Sequence, residues 1–497
     1  MSPRLARPTP AFLFVVFSAI FLAFFVAGAA ISRFDRNPSM DHAVDALKGG
    51  RIAAGEAELL ALIEQDPEDE QLWYILLASL AANPHPFPDV FKHDPTGRFP
   101  QALNFAVQIM TGKSVSVPAS YPLVADVGGI LMMANQDLKA IEYLQEAEKL
   151  HPDFRTRWRI LRTLKDLGWK DDFAKLMDDP LYYASADDLM RADFHLHVNQ
   201  VLPMIQYVLS HQFYSYQTAL VGAATVIGLC WLIVMLHIGR WKGWPVSTRF
   251  GVPVAVFLGI LSAYATLCAV EIESKFFTLT SGHTWQATLL YAIFGIGLRE
   301  EILKLLLIAP LLIIFRKAAP IQILMLATLG GLGFAIEENN QYYVEGGSSV
   351  VSRFLTANFA HMSMTGLAGY AFVTALNDVR QWGNFFERFA YVILIHGFYD
   401  FLLMDTTFAN LSFFASFVFI LVARKHLRLV ADLAGLSGYS VAPILIFVMA
   451  LAISMGTSYL LFALELGPMR GVVATLLSTA SMMFVGILFF QEFSREA

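Results

Sequence analysis

Charge is scarce in this chain, and cysteine is scarcer. Of the 497 residues, 15% are Asp, Glu, Lys or Arg and 56% are apolar. Together with a mean hydropathy of +0.54, that excludes an ordinary soluble protein. A net charge of −6 gives no basic footprint, so no nucleic-acid partner is expected. Cys230 and Cys268 are the only cysteines, and both fall in apolar stretches. This argues against a disulfide framework or a cysteine metal site. Three signatures of hydrolysis inside membranes are missing or incomplete. His-Glu-x-x-His is absent. Tyr399-Asp400 has no Gly-x-Gly-Asp to accompany it. Gly435-Leu436-Ser437-Gly438 resembles a serine nucleophile motif, but no His follows it.

What is present is a series of apolar runs near the roughly 20 residues that span a bilayer. The first, 11–30, follows Arg4 and Arg7. Its length favours a retained anchor over a cleaved signal peptide, although Ala27-Gly28-Ala29-Ala30 has the small residues of a cleavage site. Others lie near 215–238, 252–271, 286–315, 320–343, 354–376, 388–404, 408–423, 441–463 and 470–491. The fold class expected is all-α: a polytopic helical membrane protein of about ten spans. Basic residues fall mostly in one set of loops: Arg240, Lys242, Arg249, Arg316, Lys317, Arg380, Arg388, Arg424, Lys425 and Arg428. The opposite set holds Lys275, Arg353 and Arg470. That bias predicts cytoplasmic termini and an extracytoplasmic 31–205.

Residues 31–205 have a different texture, with more charge and helical periodicity. Asp66-Pro67 with Leu72-Trp73 and His151-Pro152 with Arg157-Trp158 repeat at a spacing of 85, about two and a half units of roughly 34 residues. A tetratricopeptide-like helical domain is one reading, with the Pro-rich stretch 84–100 as an insertion; an irregular helical domain is the other. The organisation expected is an anchor at 1–30, an extracytoplasmic helical domain at 31–205, two spans at 206–284, a membrane core at 285–405 and three further spans at 406–497.

The core carries the chemistry. Ionisable groups at bilayer depth are costly and normally face protein or a wet cavity. Four successive spans hold them: Glu300-Glu301 with Lys304, then Glu337-Glu338-Asn339, then His361, then His396 with Asp400. At about 1.5 Å per residue these fall in the outer half or middle of the bilayer. A carboxylate can take a proton from water and return it to a leaving amine. A His can hold that water or the developing oxyanion. Lys304 follows Glu300 by four residues, the favourable order for a helical ion pair. Glu337 is read as structural.

Glu300-Glu301-x-x-Lys304, Phe334-x-x-x-Glu338-Asn339, His361 and His396-x-x-x-Asp400 together resemble the PrsW family of membrane proteases, within the wider group of CAAX-prenyl endopeptidases. The resemblance covers about 285–405. It implies an intramembrane endopeptidase of the cell inner membrane acting on a membrane-anchored protein, an anti-sigma factor in PrsW itself. It makes Glu300 the base and Glu301 its electrostatic support. His361 and His396 would bind water or oxyanion, and Lys304, Glu338, Asn339 and Asp400 would support them. Asp400 stands where the wider group often has Asn. The resemblance implies metal-free chemistry and no cofactor. A zinc ion held by Glu300, His361 and His396 remains open on donor type. Two other classes also remain open: a proton-coupled transporter, and a non-catalytic sensor or scaffold whose outer domain does the binding.

Overall fold

A computed structural model describes residues 8–31, 40, 43–44, 47, 52–82, 90–113, 115–117, 119–214, 216, 218–276, 284–344, 350–405, 407–408, 411, 414–434, 442–480 and 482–495. Arg4, Arg7, residues 84–89 of the Pro-rich stretch and the Gly435–Gly438 motif lie outside them. Every regular element among the described residues is a helix. The chain divides into two compact units, residues 36–213 and residues 1–35 with 214–497.

The second unit begins with α1 (Pro10–Ile31). The 36–213 unit then runs through α2 (Ile52–Gln65), α3 (Glu70–Ala82), α4 (Phe99–Met110), α5 (Tyr121–Met133), α6 (Asp137–Leu150), α7 (Phe154–Asp166), α8 (Lys170–Met177), α9 (Pro180–Ser185), α10 (Asp188–His197) and α11 (Val201–Tyr214). Proline cannot continue a helix interior, and both Asp66-Pro67 and His151-Pro152 fall in turns between paired helices. Asp153 caps α7 by accepting from the Thr156 N–H at 3.1 Å. The two tryptophans of the repeat-like stretches differ in surroundings. Trp73 is fully buried and stacks on Phe99 at 4.8 Å. Trp158 is half-buried and donates to Asp187 at 3.2 Å. The helix–turn–helix form is common to both stretches; the packing is not.

The 214–497 part holds α12 (Thr218–Ile238), α13 (Val246–Phe276), α14 (Trp285–Leu290), a π-helical stretch Tyr291–Leu298, α15 (Arg299–Ile314), α16 (Pro320–Val344), α17 (Val350–Leu355), α18 (Ala357–Asn377), α19 (Trp382–Met404), α20 (Phe414–Ala434), α21 (Pro443–Leu466), α22 (Pro468–Ala480) and α23 (Met483–Arg495). Among the described residues, five helices are long and apolar enough to cross a membrane: Pro10–Gly28, Ala219–Ile238, Val246–Glu273, Pro320–Tyr343 and Pro443–Leu464. The α22–α23 pair, bent by 66°, makes a sixth if it is one span. The expectation was about ten. The other expected spans are largely helical over their described residues, but their polar residues dilute them. The 286–315 run changes to π-helix and carries Arg299, Glu300, Glu301 and Lys304. The α18–α20 helices carry His361, His396, Asp400, Arg424 and Lys425. These helices owe their place to one another rather than to continuous apolarity.

α1 is packed into this unit: Phe25 stacks on Tyr459 of α21 at 5.7 Å. The centre is α16, most of whose apolar length is buried. A Cβ on Gly331 would lie 2.3 Å from the His361 carbonyl oxygen, and a Cβ on Gly397 would lie 2.4 Å from Ile293 Cα. Small residues let helix backbones touch in this way. The first contact sets α18 against α16. The second sets α19 against the π-helical stretch that leads into Glu300-Glu301.

Candidate active site

These close approaches bring four helices to one point. Lys304 is the hub. Its Nζ donates to Glu301 Oε1 at 2.8 Å and to Glu300 Oε2 at 3.2 Å, and lies 2.8 Å from His361 Nδ1. It also sits over the Phe334 ring at 3.8 Å, a cation–π contact strengthened by burial. An ammonium has donors only, so His361 Nδ1 is the acceptor. The neutral ring then carries its proton on Nε2, which donates to Glu338 Oε2 at 2.9 Å.

His396 reaches the same cluster from α19. Its Nδ1 is 2.9 Å from Glu301 Oε1. Its Nε2 is 3.3 Å from Asp400 Oδ2 and 3.6 Å from Glu300 Oε2. The two imidazole rings meet edge to face at 5.3 Å. Glu301, Lys304, His361 and His396 are all buried. Glu301 spends Oε1 on two donors, while its buried Oε2 has no partner. Glu300 spends only Oε2. Buried polar atoms are normally paired, so the orphaned Glu301 Oε2, beside the unspent Glu300 Oε1, marks where water or substrate would be received.

Every candidate site residue except Asn339 touches this cluster directly. Asn339 is one step removed. Its side-chain amide donates to Asn358 at 2.8 Å, and its oxygen accepts from Arg353. Arg353 in turn donates to Glu338 and lies 4.1 Å from the Tyr342 ring centroid. So Asn339 orients Arg353, not a histidine. Arg353 is the residue that sequence reasoning missed: it was assigned to a loop as a topogenic charge, and it is buried in α17. A signal was available, because it is a lone Arg between Val350-Val351 and Phe354-Leu355, one turn before Asn358. Tyr343 is buried. Glu337 lies on another side of α16, where Tyr216 and Asn340 donate to it. Glu273, still 37% exposed, pairs with Arg299 at 2.8 Å.

Glu300, His361 and His396 each bring a ligand atom within 4.8 Å of the others, as a metal site requires. Two imidazoles and a carboxylate suit zinc or a similar ion. The charge balance agrees. Glu300, Glu301, Glu338 and Asp400 outnumber Lys304 and Arg353, so the cluster favours a cation. The residues therefore fit by donor type and charge. Two contacts of His361 would have to change, its Nε2–H donation to Glu338 and its acceptance from Lys304. Ligation through His361 Nε2 needs the ring proton on Nδ1, where the Lys304 ammonium now donates.

No curated protein and no solved structure matches the chain significantly. Residues 251–424 match the family model described as PrsW family intramembrane metalloprotease. The description names a metalloprotease, and so sides with the metal alternative rather than with the metal-free expectation. The matched stretch contains every residue of the buried cluster, so this part of the chain is similar to the PrsW family of intramembrane proteases.

Proposed function

We propose that this chain hydrolyses a peptide bond of a membrane-anchored protein, with Glu300 as the base. The observation that carries the reading is the unbroken line of contacts from Glu338 through the buried His361, Lys304, Glu301 and His396 to Asp400, with one Glu300 oxygen left over. Glu300 Oε1 takes the proton of the attacking water and returns it to the departing amine. Glu301 holds Lys304 and His396 in place. Lys304 balances the paired carboxylates. His396 and His361 hold the water and the oxyanion that develops on the scissile carbonyl. Arg353, through Glu338, fixes the His361 ring.

Where a metal is bound, Glu300, His361 and His396 hold it, and it supplies Lewis-acid polarisation to water and carbonyl. Metal analysis of the purified protein tests this arm. One equivalent of ion in wild type, lost in both His361→Ala and His396→Ala, supports it; a metal-free protein that still cleaves removes it.

The protein is read as an inner-membrane protein with cytoplasmic termini and an extracytoplasmic 31–205 domain, on the loop charge bias. Arg388, Arg424, Lys425 and Arg428 of the inner set and Arg353 of the outer set lie within helices, and setting all five aside leaves the bias in the same direction. The outer domain, read as tetratricopeptide-like, recruits or gates the substrate, an anti-sigma factor by analogy with PrsW. Comparison of membrane-protein fragments in cells carrying wild type or Glu300→Gln tests the reading and names the substrate. Fragments seen only with wild type support a protease. If none depends on Glu300, the buried charges are better explained as a proton relay of a transporter.

A further inference from the structure

A second charged region lies apart from the active site, where α18, α19 and α20 border a cavity of about 510 Å³. Its lining has two chemistries. Arg388, Arg424, Lys425 and Arg428 give it cationic groups, and Leu367, Leu421 and Leu429 give it apolar ones. The arginines are under-used. Arg388 donates to Asn384 and Arg424 to Glu492, each through Nε. Neither spends the terminal fork, the part of a guanidinium that takes a phosphate in two-point fashion. Arg428 is exposed and has no ion-pair or hydrogen-bond partner among the described residues. The Lys425 ammonium lies 4.2 Å from the Tyr391 ring centroid and feels both Arg388 and Glu387. Asp432 on the rim and Glu492 offset part of this charge.

The apolar side of the cavity decides the class of ligand. Leu421 is 60% exposed, on a helix of a membrane protein, so this wall continues onto a surface that acyl chains cover. A free inorganic anion has no use for it. We propose that the cavity binds an anionic phospholipid, with the phosphate between the Arg388 and Arg424 forks and Lys425 and Arg428 beside it. Basic pockets between membrane helices suit such headgroups. A bound phosphate would bridge α19 to α20 and offset the repulsion between Arg388 and Lys425. This inference is independent of the proteolytic reading.

The test uses the full-length protein in a nonionic detergent, with native mass spectrometry to count bound lipid. Phosphatidylglycerol is titrated against phosphatidylcholine and against inorganic phosphate. The expected result is retained phosphatidylglycerol, little phosphatidylcholine, and no displacement by millimolar phosphate. Arg428→Gln, which breaks no partner contact, should weaken binding about fivefold, the usual worth of one cation at an anionic surface. Leu421→Glu should weaken it independently, by blocking the acyl side. Arg316→Gln, an exposed basic residue elsewhere in the unit, should leave it unchanged. Equal retention of both lipids, displacement by inorganic phosphate, or equal loss in Arg316→Gln and Arg428→Gln would each overturn the proposal. So would full binding in both Arg428→Gln and Leu421→Glu.

Discussion

Lys304 is buried between the Glu300 and Glu301 carboxylates, and Arg353 is buried against Glu338. Breaking a buried ion pair from one side leaves an uncompensated charge and costs about 3–5 kcal/mol. Lys304→Met should therefore lower the stability of the membrane unit by that order and abolish cleavage, read by thermal unfolding and by substrate processing. Arg353 offers a finer test, because it acts on the reaction only through Glu338 and His361. Arg353→Lys keeps the charge but cannot serve Glu338 and Asn339 with one planar fork. It should lose on the order of tenfold in kcat, the worth of a charge-assisted hydrogen bond, with KM little changed. Arg353→Gln should lose more. Equal effects of the two variants would mean that charge and fork are irrelevant and that Arg353 only fills space. The cluster was largely legible in sequence because carboxylates and histidines inside apolar spans need a reason to be there. Arg353 was not, because an Arg near a span end has a cheaper explanation as a topogenic charge. Asn339 was legible as a site residue but not in its task, because spacing along α16 does not reveal a partner on α17.

The helices of the core are set by contact rather than by apolar length. The apolar runs of α12, α13, α16 and α21 made those helices legible as spans. The π-helical Tyr291–Leu298 was not legible, since a run of apolar residues reads the same in either helix type. It matters because π-helical turns favour functional sites, and this one delivers Glu300 and Glu301. The Gly397 contact against Ile293 can be tested on its own. Gly397→Ala forces a Cβ 2.4 Å from a backbone atom; overpacking of this kind costs about 1–3 kcal/mol. It should separate His396 from Glu301 and reduce cleavage. Gly383→Ala on the same helix meets nothing within 4 Å and should be silent in both stability and cleavage. If the two variants behave alike, the close approach does not position the site.

At the scale of the molecule, two units with different physics share one chain. The 36–213 unit is held by a soluble-type core, with a polar knot inside it. Arg98 and Tyr74 both donate to the buried Asp126, Tyr74 at 2.7 Å. Burial pushes the Asp126 carboxyl above its ordinary value of 3.8, against the pull of Arg98. The folded unit then holds this proton more tightly than the unfolded chain does. Its contribution to stability is greatest below 3.8 and declines as pH rises through the folded value. Hydrogen exchange of α5 in the full-length protein should show protection in wild type falling, relative to Asp126→Asn, as pH rises from 4. An unchanged difference across that range would place the proton elsewhere. The different surroundings of Trp73 and Trp158 are tertiary and could not be read from their shared spacing. For the whole protein the central claim is that Glu300 makes a buried charge cluster into a peptidase. The direct measurement is the appearance of substrate fragments after reconstitution in liposomes, for wild type, Glu300→Gln and His361→Ala at matched folding. The prediction is cleavage by wild type and none above background in either variant; cleavage that survives in both contradicts the account.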